Sequence, residues 1–262
     1  MFLSIDVGNT QTTLALFDPE GTCVRQWRMA TTPADTADQL QERVYGYFEM
    51  CGMKLADVAD AALASVVPIL TNEWMRALTN ALGDEPLLID AKRDCGIEVG
   101  LPNPAQAGAD RIANALAVKL SYGAPVIVVD FGTATNIDVV DADGVFRGGA
   151  IMPGILLSAQ ALFARAAKLS SVPLVMPPHA LGDSTETAVQ SGIVIGAAAQ
   201  AEGLVNRIKE ELGSPDAFVV GTGGYARTIA EATDLFDAID PDLTTRGIYQ
   251  IWRNRARKRG EL

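Results

Sequence analysis

Two short segments combine a carboxylate with glycine and hydroxyl residues in a pattern typical of phosphate chemistry. They are D-V-G-N-T at Asp6–Thr10 and D-F-G-T-A-T at Asp130–Thr135. Glycine allows a sharp turn, and the N–H groups and side chains that follow can face an anion. The carboxylate can hold a cation that bridges phosphates. One such segment alone is more often an ordinary hairpin whose Asp hydrogen-bonds its own turn, but a second copy favours the functional interpretation.

A third candidate is G-A-D-R at Gly108–Arg111, at the start of a predicted helix. Asp110 could act as a general base that accepts the proton of a substrate hydroxyl, and Arg111 could bind an anionic group. The alternative is structural, because Asp is a good N-terminal capping residue and Arg is common on surfaces. Spacing alone leaves both interpretations open.

The glycine-rich segment Gly221–Ala226 follows a predicted strand and matches a dinucleotide fingerprint weakly. Because it lies near the end of the chain, a nucleotide-packing turn or a plain helix start explains it equally well. The sequence has no P-loop motif, and its one histidine, His179, is predicted to lie in a loop. The basic residues from Arg253 to Arg259 are interpreted as a solvated helix end.

The elements around the two D-x-G segments repeat. An apolar strand, the D-x-G segment, a second strand and a D-x-x-G turn occur twice, at Phe2–Gly21 and at Val126–Gly144. Two unrelated hairpins are the alternative to a duplication. The pattern predicts an α/β protein of two lobes, residues 1–122 and 123–262, each a mixed sheet flanked by helices. Helices are predicted at Asp35–Met50, Pro68–Leu82, Asp110–Leu120 and, bent or broken, at Ser184–Leu212.

If the lobes face each other, Asp6 and Asp130 flank one cleft. Two carboxylates about 4 Å apart repel by about 4 kcal/mol at an effective dielectric constant of about 20. Such a pair requires a cation or a shifted pKa, and a nucleotide with its cations supplies the first.

Composition excludes several classes of protein. The formal net charge of −11 argues against a nucleic-acid partner, whose phosphates demand a basic surface. The first residues lack the features of a signal peptide, and no apolar run reaches the length of a membrane span. The three widely spaced cysteines predict neither a zinc site nor a redox pair and fit the cytoplasm.

Six motifs together resemble the type III pantothenate kinase family over nearly the whole chain. They are DVGNT at Asp6–Thr10, NPAQAGADR at Asn103–Arg111, DFGTAT at Asp130–Thr135, GGAIMPG at Gly148–Gly154, GDSTETAVQSG at Gly182–Gly192 and TGG at Thr222–Gly224. The resemblance implies the acetate and sugar kinase/Hsp70/actin fold, with two ribonuclease-H-like lobes. It also implies ATP-dependent phosphorylation of pantothenate, the first step of coenzyme A synthesis, by a homodimer.

The resemblance also implies residue roles. Asp110 would be the proton acceptor, Asp130 would hold potassium or ammonium, and Asp6 could bind Mg²⁺ through phosphate. The ATP-binding residues would be Asp6, Val7, Gly8, Asn9, Thr10, Gln11, Thr12, Thr13 and Thr133. The pantothenate-binding residues would be Leu101, Gly108, Ala109, Asp110, Arg111 and Thr185.

Two positions depart from the family pattern, since Leu101 stands where a Tyr is frequent and Asn136 stands where a Thr is frequent. Three alternatives to the pantothenate kinase function stay open at this point. They are a non-catalytic ATP-binding regulatory relative, a kinase of the same fold for another small hydroxylated substrate, and a nicotinamide-dependent oxidoreductase that rests only on Gly221–Ala226.

Overall fold

The computed structural model describes residues 1–166 and 171–260. Within them the chain forms two compact units, one made of residues 1–117 with the C-terminal helix and the other of Val118–Asp242. The sequence placed the C-terminal helix in the second lobe, whereas the structure places it in the first unit. Its aromatic side chains explain the difference, because Trp252 stacks on Phe2 and Tyr249 stacks on Phe17, with ring centroids 4.3 and 4.7 Å apart.

The strands of the two units follow the same plan. In the first unit the sheet order is β3-β2-β1-β4-β5, and the strands of the second unit run β9-β8-β7-β10-β11. In both, the first three strands are antiparallel neighbours and the remaining pairs are parallel. The predicted repeat and ribonuclease-H-like lobes are confirmed. The strands are β1 Phe2–Val7, β2 Gln11–Phe17, β3 Cys23–Ala30, β4 Asp60–Ser65, β5 Leu87–Leu88, β6 Glu98–Val99, β7 Val126–Phe131, β8 Ala134–Val140, β9 Val145–Pro153, β10 Phe218–Thr222 and β11 Ala238–Ile239.

Helices cover the sheets and begin where the sequence supplies the expected signals. Thr36 caps the first helix in a capping box with Gln39, and Pro68 opens the second, where its missing N–H costs nothing. The α-helices are α1 Ala37–Met50, α2 Pro68–Leu82, α3 Ala109–Tyr122, α4 Ile155–Arg165, α5 Thr185–Gln190, α6 Gly196–Leu212, α7 Ala226–Ala230 and α8 Leu243–Arg259.

In each unit, alternate side chains of the central strands point into the hydrophobic core. In β1, Leu3, Ile5 and Val7 are buried against α1 and α2, where Phe48 and Trp74 fill the layer. The second unit buries the corresponding side chains of β7 against α6. Because the side-chain period is two, Asp6 and Asp130 lie on the opposite faces of their strands from these residues, near the ends of β1 and β7.

The long helical stretch predicted at Ser184–Leu212 is interrupted, as expected. A π-helical turn at Ser191–Ile195 separates α5 from α6. The stretch Thr185–Leu212 is long and apolar enough to cross a membrane by length and composition, a test that the core helix of a soluble protein also passes. It supplies Val194, Ala198 and Val205 to the second core.

Candidate active site

The turn between β1 and β2 holds the first D-x-G segment. The N–H of Gly8 donates to the carbonyl of Gln11 at 3.1 Å and closes the turn. Thr31, at the end of β3, supports it from below: its hydroxyl lies 2.7 Å from the Gly8 carbonyl and 2.9 Å from the Thr12 hydroxyl. These hydrogen bonds fix both ends of the turn at Gly8 and Thr12, whereas its tip at residues 9–11 is exposed to solvent.

The predicted ATP-binding residues of this turn fall into two groups. Val7 and Thr12 are buried, so they could contribute to a nucleotide site only through the backbone. The others are half-buried or exposed, and Asp6 lies directly opposite Thr13 on the neighbouring strand. The accessible set consists of Asp6, Gly8, Asn9, Thr10, Gln11 and Thr13.

The G-A-D-R segment forms the first turn of α3. Asp110 is the second residue of the helix, and its Oδ1 accepts a hydrogen bond from the N–H of Arg111 at 2.8 Å. Burial raises the pKa of Asp110 above its ordinary value, and the Arg111 N–H and charge oppose this shift only in part. A half-buried carboxylate with a raised pKa is a stronger base than an exposed Asp. Asp110 is not the N-cap residue, because it lies one position inside the helix.

This helix start lies beside the end of β4, next to the first turn. A side chain on Gly108 would come within 3.5 Å of Val66, the residue after β4. The N–H of Val66 in turn donates to the carbonyl of Val7 at 3.1 Å. Val66 thus lies between the D-V-G-N-T and G-A-D-R segments, so the first unit brings these two segments close together. Leu101 is half-buried and precedes a short 3₁₀ turn at Pro104–Gln106.

In the second unit, three glycine motifs meet at the turn that follows β7. The N–H of Gly154 donates to the carbonyl of Thr133 at 3.1 Å. A Cβ on Gly223 would lie 2.5 Å from Oδ1 of Asp130, and the φ of Gly223 is +89°. Only glycine fits at such a close approach with a left-handed backbone. Residues of D-F-G-T-A-T, G-G-A-I-M-P-G and T-G-G therefore meet at one turn, where Gly223 lies directly against the carboxylate of Asp130.

The T-G-G segment is fixed by a buried polar contact. Thr222 lies opposite Asp130 in the strand register, and its hydroxyl donates to the Asp240 carbonyl at 2.6 Å. The carboxylate of Asp240 accepts a hydrogen bond from the Tyr122 hydroxyl at 2.9 Å. The turn after β10 supports Asp130 rather than opening a long helix, since α7 has only five residues. This arrangement gives the dinucleotide interpretation no support.

Of the remaining predicted residues, Ala109 is buried, whereas Thr133 and Thr185 are exposed. Thr133 is exposed at the tip of its turn. Thr185 is the first residue of α5, exposed, and next to Ser184, whose hydroxyl caps the helix by accepting the Thr187 N–H. Sequence reasoning missed Thr31 and Asp240. The repeat could have indicated Thr31, because it occupies the position at the end of β3 that Gly154 occupies after β9.

The site contains no ready-made chelate for a transition metal. Across residues 1–166 and 171–260, no three His, Cys, Asp or Glu side chains cluster closely enough to hold a metal ion. The side chains of Asp130, Asn136 and Thr222 share one face of the sheet by register. These oxygen donors suit a hard, weakly held cation.

The sequence profile of the type III pantothenate kinase family matches residues 2–207. A type III pantothenate kinase from Paramagnetospirillum magneticum is 44% identical over 257 residues, which cover 98% of this chain and 98% of the relative. One from Agathobacter rectalis is 40% identical over 258 residues, with 98% and 99% covered. This chain belongs to the type III pantothenate kinase family. The resemblance inferred from the six motifs is confirmed.

Solved structures agree with the fold at much lower identity. The activator of 2-hydroxyisocaproyl-CoA dehydratase from Clostridium difficile, with bound ADPNP, has a TM-score of 0.59 at 14% identity and covers 99% of this chain and 97% of its own. The inorganic polyphosphate/ATP-glucomannokinase from an Arthrobacter strain has a TM-score of 0.53 at 16% identity, with 98% of both chains covered. At this identity they show the shared architecture of this pantothenate kinase family member and nothing finer.

Proposed function

We propose that this protein transfers the γ-phosphate of ATP to the hydroxyl group of pantothenate, giving 4′-phosphopantothenate, the first step of coenzyme A biosynthesis. Family membership over nearly the whole chain supports the reaction. The observation that most supports the assignment of roles is Asp110, a half-buried carboxylate with a raised pKa in the first turn of α3.

Phosphoryl transfer demands little covalent help, so positioning and charge stabilisation dominate. Asp110 accepts the proton of the pantothenate hydroxyl while the oxygen of that hydroxyl attacks the γ-phosphorus of ATP. Arg111, beside it in the helix, attracts the carboxylate of pantothenate or a phosphate oxygen. Gly108, Leu101 and the backbone of Ala109 line the pantothenate site, and Thr185 is a further pantothenate-binding residue.

The turn at residues 6–13 binds the ATP phosphates through its exposed N–H groups and side chains, and Thr133 adds a further contact. Asp6 would hold Mg²⁺ by way of the ATP phosphates, since this ion is usually bound by one or two carboxylates together with substrate phosphates. Asp130 holds potassium or ammonium, with Asn136 on the same face of the sheet. The cations supply neutralisation of the phosphate charge.

The reaction is tested by ADP release from purified protein with ATP, magnesium and pantothenate, in potassium and in sodium buffers. We expect pantothenate-dependent turnover that potassium stimulates. Turnover with a sugar or acetate in place of pantothenate would point to another kinase of this fold. Binding of ATP by folded protein without turnover in either salt would refute the proposal and indicate a non-catalytic ATP-binding protein.

We also propose a cytoplasmic homodimer. Four apolar side chains along β9 and α4 are exposed: Ile151, Leu156, Leu157 and Leu162 are 65, 39, 48 and 38% exposed. Because large apolar surfaces mark protein–protein interaction sites, we take this segment as the candidate interface. Sedimentation should give twice the 27.7 kDa mass of the chain. A monomer at micromolar concentration would refute the dimer.

A further inference from the structure

A polar pocket of about 300 Å³ lies at the edge of the first sheet, away from the motifs described above. Its walls come from the start of β4, from β5 with the loop before it, and from the last turns of α8. The strand register places Asp60, in this pocket, opposite Phe2, whereas Ser65 lies opposite Val7 at the phosphate turn. Five residues of strand separate the two places by about 16 Å.

Arginines dominate the pocket although the protein is acidic overall. Arg93, Arg255 and Arg259 line it together with the carboxylates of Asp60 and Glu85. Both oxygens of Asp60 already accept protein hydrogen bonds, from the Ala61 N–H at 2.7 Å and from the Trp252 indole at 2.5 Å. Neither hydrogen bond comes from an arginine, and three arginines against the two carboxylates leave the pocket lining with an excess of positive charge.

Two of the guanidinium groups keep donors available. Arg255 uses its Nε for the carbonyl of Asp94 at 2.7 Å, and its terminal nitrogens find no acceptor among the described residues. The Arg93 side chain likewise has no hydrogen-bond acceptor within residues 1–166 and 171–260. Two cations that share one pocket repel each other unless an anion lies between them.

Basic residues at the end of α8 have a simpler explanation, because cations there complement the helix dipole. That explanation covers Arg257, Lys258 and Arg259, of which only Arg259 lines the pocket. It does not cover Arg93, which lies 162 positions away from Arg255 in a turn outside any helix. The fold brings these two arginines together at one concave site.

We propose that this pocket binds the dianionic phosphate group of a small molecule, at a second site distinct from the ATP site. The planar guanidinium fork matches phosphate oxygens in geometry as well as charge. Met75, Leu87, Leu88 and Trp252 form an apolar wall beside the arginines, which gives room for the organic part of a phosphate ester.

The test is calorimetric titration of the full chain with inorganic phosphate and, separately, with phenyl phosphate. We expect Arg93→Gln and Arg255→Gln each to weaken binding by about 10-fold or more, since each removes charged hydrogen bonds. Arg257→Gln is the matched control, because Arg257 is exposed on the same helix but outside the pocket. Arg93→Gln is not expected to disturb folding, because the Arg93 side chain is exposed.

Tighter binding of phenyl phosphate would identify an organic ester as the occupant, and equal binding would identify free phosphate. Binding that is absent in the unmodified protein, or that the three variants affect equally, would overturn the proposal. The result is independent of kinase activity, because phosphate bound at the ATP site would not respond to Arg93 or Arg255. Failure of the pantothenate kinase assay would leave this test intact.

Discussion

Replacing Gly223 by alanine should disable the site around Asp130 although no charged residue is replaced. The backbone of Gly223 has a φ of +89°, and a Cβ there would lie 2.5 Å from Oδ1 of Asp130 and 2.7 Å from the backbone of Phe131. The added methyl group must displace the carboxylate, the turn after β10 or both. The turn cannot move easily, because Thr222 is tied to the Asp240 carbonyl.

The expected cost follows from two contributions. A left-handed backbone costs an alanine about 1 kcal/mol relative to glycine. Relief of the overlap with a packed strand costs about 1–3 kcal/mol more. The sum of about 2–4 kcal/mol corresponds to a fall in melting temperature of at least about 4 °C for a chain of this size. A displacement of Asp130 by about 1 Å is expected to lower turnover by about 100-fold.

Gly224→Ala is the matched control. It adds the same methyl group one residue further along, where nothing lies within 4 Å of the new Cβ. Thermal unfolding and ADP release over a range of potassium concentrations should be measured for both variants. We expect the Gly223 variant to need more potassium for half-maximal activity and the Gly224 variant to resemble the unmodified protein. Equal melting temperatures and equal potassium dependence would refute the close approach to Asp130.

Two further predictions concern Asp110. Asp110→Asn should lower kcat by about 10²–10⁴-fold, which is the usual contribution of a general base. The folded state should be kept or stabilised at neutral pH, because the substitution removes a desolvated charge. A folded variant with a nearly unchanged kcat would show that Asp110 is not the base. Burial raises the pKa of Asp110 above the ordinary 3.8 of an Asp, and the protonated carboxyl cannot act as a base. The kcat/KM of the unmodified protein should therefore start to fall, as the pH decreases, at a pH above 3.8. A kcat/KM that stays constant down to pH 3.8 would contradict the assignment.

Local features of the fold could be predicted from the sequence. The helix Pro68–Leu82 has the predicted bounds, because capping and proline signals act over a few residues. The apolar strand predicted before the D-x-G segment of Asp130 extends into that segment and ends at Phe131, and Asp130 is paired with Asn136 in the strand register.

Contacts between distant parts of the chain could not be predicted in this way. The packing of α8 on β1 depends on Phe2 and Trp252, which are 250 positions apart, and no periodicity connects them. For the same reason the sequence did not predict the Tyr122–Asp240 hydrogen bond or the presence of Arg93 and Arg255 in one pocket. Pattern reasoning finds faces and turns, whereas tertiary packing decides which faces meet.

The two turns of the repeat differ in a way that favours different ligands. The first spans four residues between the pair Val7 and Thr12, and a threonine hydroxyl from β3 supports it from below. It therefore presents a longer run of exposed backbone and polar side chains, which suits several phosphate oxygens.

The second turn spans three residues between Phe131 and Thr135, and the backbones of Gly154 and Gly223 close around it. The main chain at Gly223 lies directly against the carboxylate of Asp130, which suits a small ion held by fixed oxygens. Under the proposed function, duplication of one strand-turn-strand unit, followed by a change in what supports each turn, separates phosphate binding from cation binding. The assignment of the phosphates to Asp6 and of the monovalent cation to Asp130, which the family resemblance implies and which we propose above, agrees with this difference.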